Sequence, residues 1–137
     1  MVSDWQSNSL QTFIEHLRVA VADLWYPSET DAPLTVVSWP GDQFDSTTLG
    51  QWLGRGREPV EQYAAERFFQ PILHNPFWQT AAGGHLAQRY QRLQTWLGET
   101  LTDLHTYRVG TLEVAVYLVG RYPAGGYVGL GTTVVET

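Results

Sequence analysis

The sequence predicts one α+β domain over residues 1–137, an antiparallel sheet with long helices packed on it. Two stretches of apolar residues at helical spacing and a strand-like final third carry that expectation. A hydrophobic fraction of 43% across 137 residues is enough to build a core. No repeat or linker divides the chain.

Leu10, Phe13, Ile14, Leu17, Val21 and Leu24 recur at helical spacing and predict a helix over 9–25, with Ser9 as its N-cap and Pro27 beyond its end. The polar run Ser28 to Pro33 reads as a loop. Leu34 to Trp39, β-branched and closed by Pro40-Gly41, reads as a strand. Asp45 caps a short helix through Leu49, Trp52 and Leu53 that Gly54 ends. Pro59 to Tyr63 fits either a helix or a short strand; Ala64 to Phe69 reads as helix, and His74 to Trp78 as loop. Leu86, Tyr90, Leu93, Leu97, Leu101 and Leu104 predict a second long helix over 85–103, starting after Gly83-Gly84. From His105 the pattern turns to strand: Thr106–Val109 and Leu112–Val119 about a tight turn at Gly110-Thr111, then a reversal at Pro123–Gly126 and a last strand over Tyr127–Val135. The unbroken apolar run from Val114 to Val119 predicts a strand covered on both faces.

Charge and composition narrow the function. The net charge is −6 and every basic residue is Arg, which speaks against direct nucleic-acid binding and suits a basic protein partner. The absence of cysteine excludes disulfides, zinc–thiolate sites and thiol chemistry. No basic and apolar leader opens the chain, and Val114–Val119 is too short to span a bilayer, so a cytoplasmic protein without membrane attachment is expected, acting as a monomer and without a cofactor. Six tryptophans are many for this length; most belong in the core, with one or two expected as surface anchors.

No catalytic constellation stands out. His16, His74, His85 and His105 fall on separate elements without metal-ligand spacing, and no serine sits in a nucleophile elbow, so the chain is not expected to be an enzyme. The glycines from Gly125 to Gly131 resemble a phosphate loop only superficially, since no helix follows them; a turn and a close backbone approach explain them better. Arg55 and Arg57, between Gly54 and Gly56, could meet an anion, but a helix stop and a solvated turn is the simpler reading. Glu29 lies on a polar loop. Val134-Val135-Glu136-Thr137 ends the sequence straight after a strand, which composition alone reads as an ordinary terminus.

Four blocks give that ending another meaning. Tyr107-Arg108-Val109-Gly110, Val116 to Gly120, Pro123-Ala124-Gly125 and Val134-Val135-Glu136-Thr137 resemble the C-terminal signature of the cyanobacterial nuclease A inhibitor family. Further upstream, Ser28-Glu29, Pro33, Trp39, Gly54 to Val60, Phe68-Phe69 and Trp78 fall in matching order. The resemblance implies an α-β-α sandwich that binds and blocks a sugar-nonspecific, magnesium-dependent endonuclease acting on DNA and RNA. It implies that Glu29 and Thr137 reach the enzyme's metal centre and that Trp78 packs against the enzyme; Glu136, the neighbour of Thr137 in sequence, is a further candidate for partner contact. His74 to Phe77 and Gly83-Gly84 depart from the family pattern, which leaves open an interaction module of the same fold with another partner.

Overall fold

The computed structural model describes residues 2–27, 32–74 and 80–136. Their elements run α1 (Val2–Val21), β1 (Trp25–Tyr26), β2 (Ala32–Pro33), β3 (Thr35–Trp39), α2 (Ser46–Trp52), β4 (Val60–Ala64), α3 (Glu66–Leu73), α4 (Ala81–Thr100), β5 (Thr102–Val109), β6 (Glu113–Arg121) and β7 (Tyr127–Val135). The fold is α+β, as expected, although only α1 and α4 are long; α2 and α3 have 7 and 8 residues.

The main sheet has five strands in the order β3-β7-β6-β5-β4, and each neighbouring pair is antiparallel. Strand β6 lies at its centre, with β5 and β7 completing the expected meander. Because side chains alternate along a strand, its apolar run feeds two cores at once. Val114, Val116 and Leu118 face α1, α3 and α4, where they meet Ile14, Leu17, Phe68, Ile72, Tyr90 and Leu97. Ala115 and Val119 face the other way, toward Leu49 of α2, Trp39 and Tyr107, with Phe44 and Tyr117 packed against them. The result is a three-layer α-β-α sandwich. Fully buried side chains such as Leu17, Leu97 and Leu118 each stabilise it by roughly 1.5–3 kcal/mol.

The two layers differ in chemistry. The α1/α3/α4 side is largely aliphatic, whereas the α2 side is aromatic: the Trp39 ring lies 4.7 Å from Phe44 and 5.1 Å from Trp52, and Phe44 stacks 5.4 Å from Tyr127. Among the described residues two tryptophans lie at the surface, Trp25 (53% exposed) and Trp52 (52%).

Gly129 and Gly131 explain how so much aromatic surface fits. A Cβ at Gly129 would stand 1.8 Å from the Leu118 carbonyl oxygen, and one at Gly131 would stand 2.3 Å from the Tyr117 ring. These glycines leave a lane along β7 for the neighbouring strand and the Tyr117 ring. They form no phosphate loop.

Several boundaries differ from the pattern reading, each for a local reason. Helix α1 starts at Val2 and ends at Val21, because Asp23 takes a left-handed conformation (φ 69°) and turns the chain into β1, which holds Trp25. Ser9 is therefore inside the helix, and its hydroxyl meets the Tyr122 hydroxyl at 2.6 Å instead of capping. Helix α4 starts before the glycine pair: the Thr80 hydroxyl accepts from the Gly83 amide at 3.0 Å, so Gly83-Gly84 lies in the first turn. It also ends earlier, at Thr100, and β5 begins at Thr102 across an irregularity between Thr102 and His105. The Asp45 cap holds, with its carboxylate 2.8 Å from the Thr48 amide. Pro59 to Tyr63 resolves to strand, as β4 pairs Val60 with Val109 and Tyr63 with Thr106. The β5–β6 reversal is wider than a Gly110-Thr111 turn: Val109 pairs with Ala115, while Glu113 and Val114 pair with β7.

Replacing Gly129 by Ala should cost at least about 2 kcal/mol, since the obstacle is backbone and not a movable side chain. Gly98→Ala, at an exposed α4 position with nothing within 4 Å of the new methyl, should instead stabilise by roughly 0.5–1 kcal/mol. Urea melts of the two variants check both signs.

Candidate functional site

Strand directions identify one end of the sheet as a gathering point. Strand β5 runs from Thr102, opposite Arg121, to Val109, and β7 ends at Val135, opposite Glu113. The β5–β6 reversal and the last residues therefore share one end. The helices agree. Phe13 lies 4.9 Å from Trp96 and 5.3 Å from Tyr122 at the far end. Arg89 donates to the carbonyls of Ala20 (3.2 Å) and Ala22 (3.0 Å). Helices α1 and α4 are thus antiparallel, with the C-terminus of α1 and the N-terminal half of α4 toward the reversal.

At that end the small β1–β2 ladder, Trp25 opposite Pro33 and Tyr26 opposite Ala32, closes the base of the segment that contains Glu29. Its second strand is fastened to β7, because Thr132 Oγ1 donates to the Pro33 carbonyl at 3.1 Å and Thr35 Oγ1 donates to the Gly131 carbonyl at 3.0 Å. Its first strand is fastened to the helices: the Tyr26 hydroxyl donates to the Phe68 carbonyl at 2.8 Å, and the Tyr90 hydroxyl donates to the Trp25 carbonyl.

Glu29, Trp78 and Thr137 lie outside the described residues. The residues that flank them are described: Tyr26 to Pro27 and Ala32 for Glu29, Thr80 at the head of α4 for Trp78, and Glu136 for Thr137. Each of these stands at the reversal end of the sheet.

Glu136 is held by two contacts, and the reversal it meets is pinned by a third set. Its amide donates to the Leu112 carbonyl at 2.9 Å, extending the β6–β7 pairing one step beyond Val135. Its carboxylate pairs with the Arg108 guanidinium. The reversal carrying Leu112 is itself pinned by Arg55, which donates to the Glu113 carbonyl at 2.8 Å and to both carboxylate oxygens of Glu58 at 2.5 and 3.1 Å. Arg55 is thus committed to the fold, which settles against reading it as an anion-binding arginine. Gly110, at φ 105°, makes room for it: a Cβ there would stand 2.5 Å from the Arg55 guanidinium.

Arg108 was not singled out by the sequence, yet a signal for it existed. Strand alternation puts it on the helix-facing side with Val116 and Thr132, where an arginine needs an acid partner. Glu136 has the same parity on β7. The phenol of Tyr26 faces the same charges. Burial pushes its pKa up to about 12, against the pull of Arg108 and Arg67 and with a small push from Glu136. Burial likewise raises Tyr107 to about 12.

Among the described residues no group of three His, Cys, Asp or Glu side chains could hold a metal ion. No described helix is long and apolar enough to cross a membrane. The chain belongs to the nuclease A inhibitor-like protein family, whose family model matches residues 11–137. No curated protein matches it.

Tyr26 and Tyr107 stay neutral in the fold to about 12, whereas their ordinary value is 10.0. A raised folded pKa means that this stabilisation is complete below about pH 10 and is lost as pH rises toward about 12. Tyr26→Phe should reduce that alkaline loss and cost about 1 kcal/mol at neutral pH through the missing hydrogen bond. Denaturant melts across the alkaline range check it; an unchanged alkaline slope would remove Tyr26 from the account.

Proposed function

We propose that this protein binds and blocks the active site of a sugar-nonspecific, magnesium-dependent endonuclease that degrades DNA and RNA. Membership of the nuclease A inhibitor-like family carries the reading. The two contacts that hold Glu136 support it, because a segment that meets a partner loses less entropy on binding when it is already held.

The chemistry of such a block is simple. A nuclease magnesium ion takes hard oxygen ligands and keeps several waters, so a carboxylate can take the place of a substrate phosphate. Glu29 and the Thr137 carboxylate supply such oxygens without a bond that the enzyme can cleave. Trp78 supplies an apolar anchor for the contact. Glu136 shares its charge with Arg108, which makes it a lesser candidate to meet the metal. The net charge of −6 draws the domain toward a basic nucleic-acid channel.

Inhibition constants against a magnesium-dependent, sugar-nonspecific endonuclease test the reading. Deleting Thr137, or Glu29→Gln, should weaken inhibition by roughly 30-fold or more, the scale of a lost hot-spot contact. Trp78→Ala should act chiefly through faster dissociation. Full nuclease activity in the presence of excess unmodified protein would refute the proposal for that enzyme, and a Thr137 deletion of unchanged potency would refute the metal-blocking role.

A further inference from the structure

Among the described residues four large apolar side chains stand exposed: Val19, Trp25, Trp52 and Leu112. Trp25 and Leu112, 53% and 68% exposed, both lie at the reversal end of the sheet, each on backbone that is held in place. The Trp25 carbonyl accepts from the Tyr90 hydroxyl, and Trp25 pairs with Pro33 in the β1–β2 ladder. The Leu112 carbonyl accepts from the Glu136 amide, and the carbonyl of the next residue, Glu113, accepts from Arg55. An apolar side chain left in water on fixed backbone loses little entropy when a partner covers it, and Trp is foremost among the residues that carry binding energy. Two acids at this end are already spent, since Glu58 pairs with Arg55 and Glu136 with Arg108. What the two mounts add to a contact is therefore apolar area.

We propose that Trp25 and Leu112 are paired apolar anchors that dock on apolar surface of the endonuclease. This inference rests on the inhibitory reading above, which supplies the partner. The spacing of the two residues suits a single contact. The Pro33 carbonyl, opposite Trp25, accepts from Thr132, and the Leu112 carbonyl accepts from Glu136. Thr132 and Glu136 stand about 13 Å apart along the line of β7 at the rise of an extended chain. With the lateral strand spacings added, the two anchors are roughly 20 Å apart. An interface of ordinary size, about 800 Å² on each side, is about 30 Å across, so one partner surface covers both. Trp52 is the contrasting case: it is 52% exposed, but it belongs to the α2 layer, with its ring 5.1 Å from Trp39.

The test uses the full chain with Trp25→Ala, Leu112→Ser and, as the control, Trp52→Ala. Inhibition constants and dissociation rates are measured against a magnesium-dependent, sugar-nonspecific endonuclease at low and high salt, and urea midpoints report whether each variant keeps the fold. Trp25→Ala should weaken inhibition about 30-fold, chiefly through faster dissociation, and Leu112→Ser about fivefold. Trp52→Ala should inhibit like the unmodified chain. Each loss should keep the same factor between about 0.05 and 0.5 M salt, because an apolar contact is not screened. Leu112→Ser keeps the test open if Trp25→Ala fails to fold. Undiminished inhibition by either folded variant would overturn the paired anchor, and an equal loss in Trp52→Ala would overturn the assignment to the reversal end. A loss that shrinks as salt rises would overturn its apolar nature. If the unmodified chain inhibits nothing, the functional reading and the anchors fall together; if it inhibits and the variants match it, the anchors alone fall.

Discussion

A strand that is apolar on both faces must be paired along both edges and covered on both sides, and β6 imposes that requirement on the rest of this molecule. Its backbone groups cannot be left unpaired in an apolar environment, so β5 and β7 flank it. Its helix-facing side chains require the aliphatic layer of α1, α3 and α4. Its other side is covered by an aromatic cluster under α2, which fits only because β7 carries glycine where Tyr117 and the Leu118 carbonyl need space. Each unusual residue near β6 answers one of these demands.

The same constraint explains why the candidate site is at the reversal end. A meander centred on β6 sends the β5–β6 connection and the end of β7 to one edge, and antiparallel packing of α1 and α4 brings the roots of two further segments there. The buried sheet supplies rigidity, while the contacts that fix Glu136 are polar and lie at its margin. Cores tolerate polar groups poorly, so a surface of oxygen atoms is most easily mounted where strands end. For an inhibitor, such a mount lowers the entropy lost on binding without adding to the contact area.

Much of the fold was legible in the sequence because its strongest signals are local. The unbroken run Val114 to Val119 gave a doubly covered strand, and the Asp45 cap with Gly54 gave α2 almost residue for residue. Boundaries set by tertiary contact were not legible. Ser9 has the chemistry of an N-cap, yet α1 continues through it because Phe13 and Tyr122 pack that end of the helix against the sheet. Gly83-Gly84 has the chemistry of a break, but the Thr80 cap carries α4 across it. In the site, Glu136 could be placed from its position after the last strand, whereas Arg108 and Arg55 could not. Their partners are 28 and 58 residues away in the chain, a separation that no local pattern spans. The weight given to Glu29, Trp78 and Thr137 came from family resemblance, since nothing in their immediate sequence separates them from an ordinary loop or terminus.

The central claim is that this protein meets a nuclease through the reversal end of its sheet. Amide hydrogen exchange, compared between the free chain and the chain saturated with a magnesium-dependent, sugar-nonspecific endonuclease, tests it most directly. The account predicts new protection over residues 27–33, 74–80 and 110–113 and at 136–137, with the α2 layer unchanged. Protection confined to the α2 layer, around residues 46–60, would contradict it.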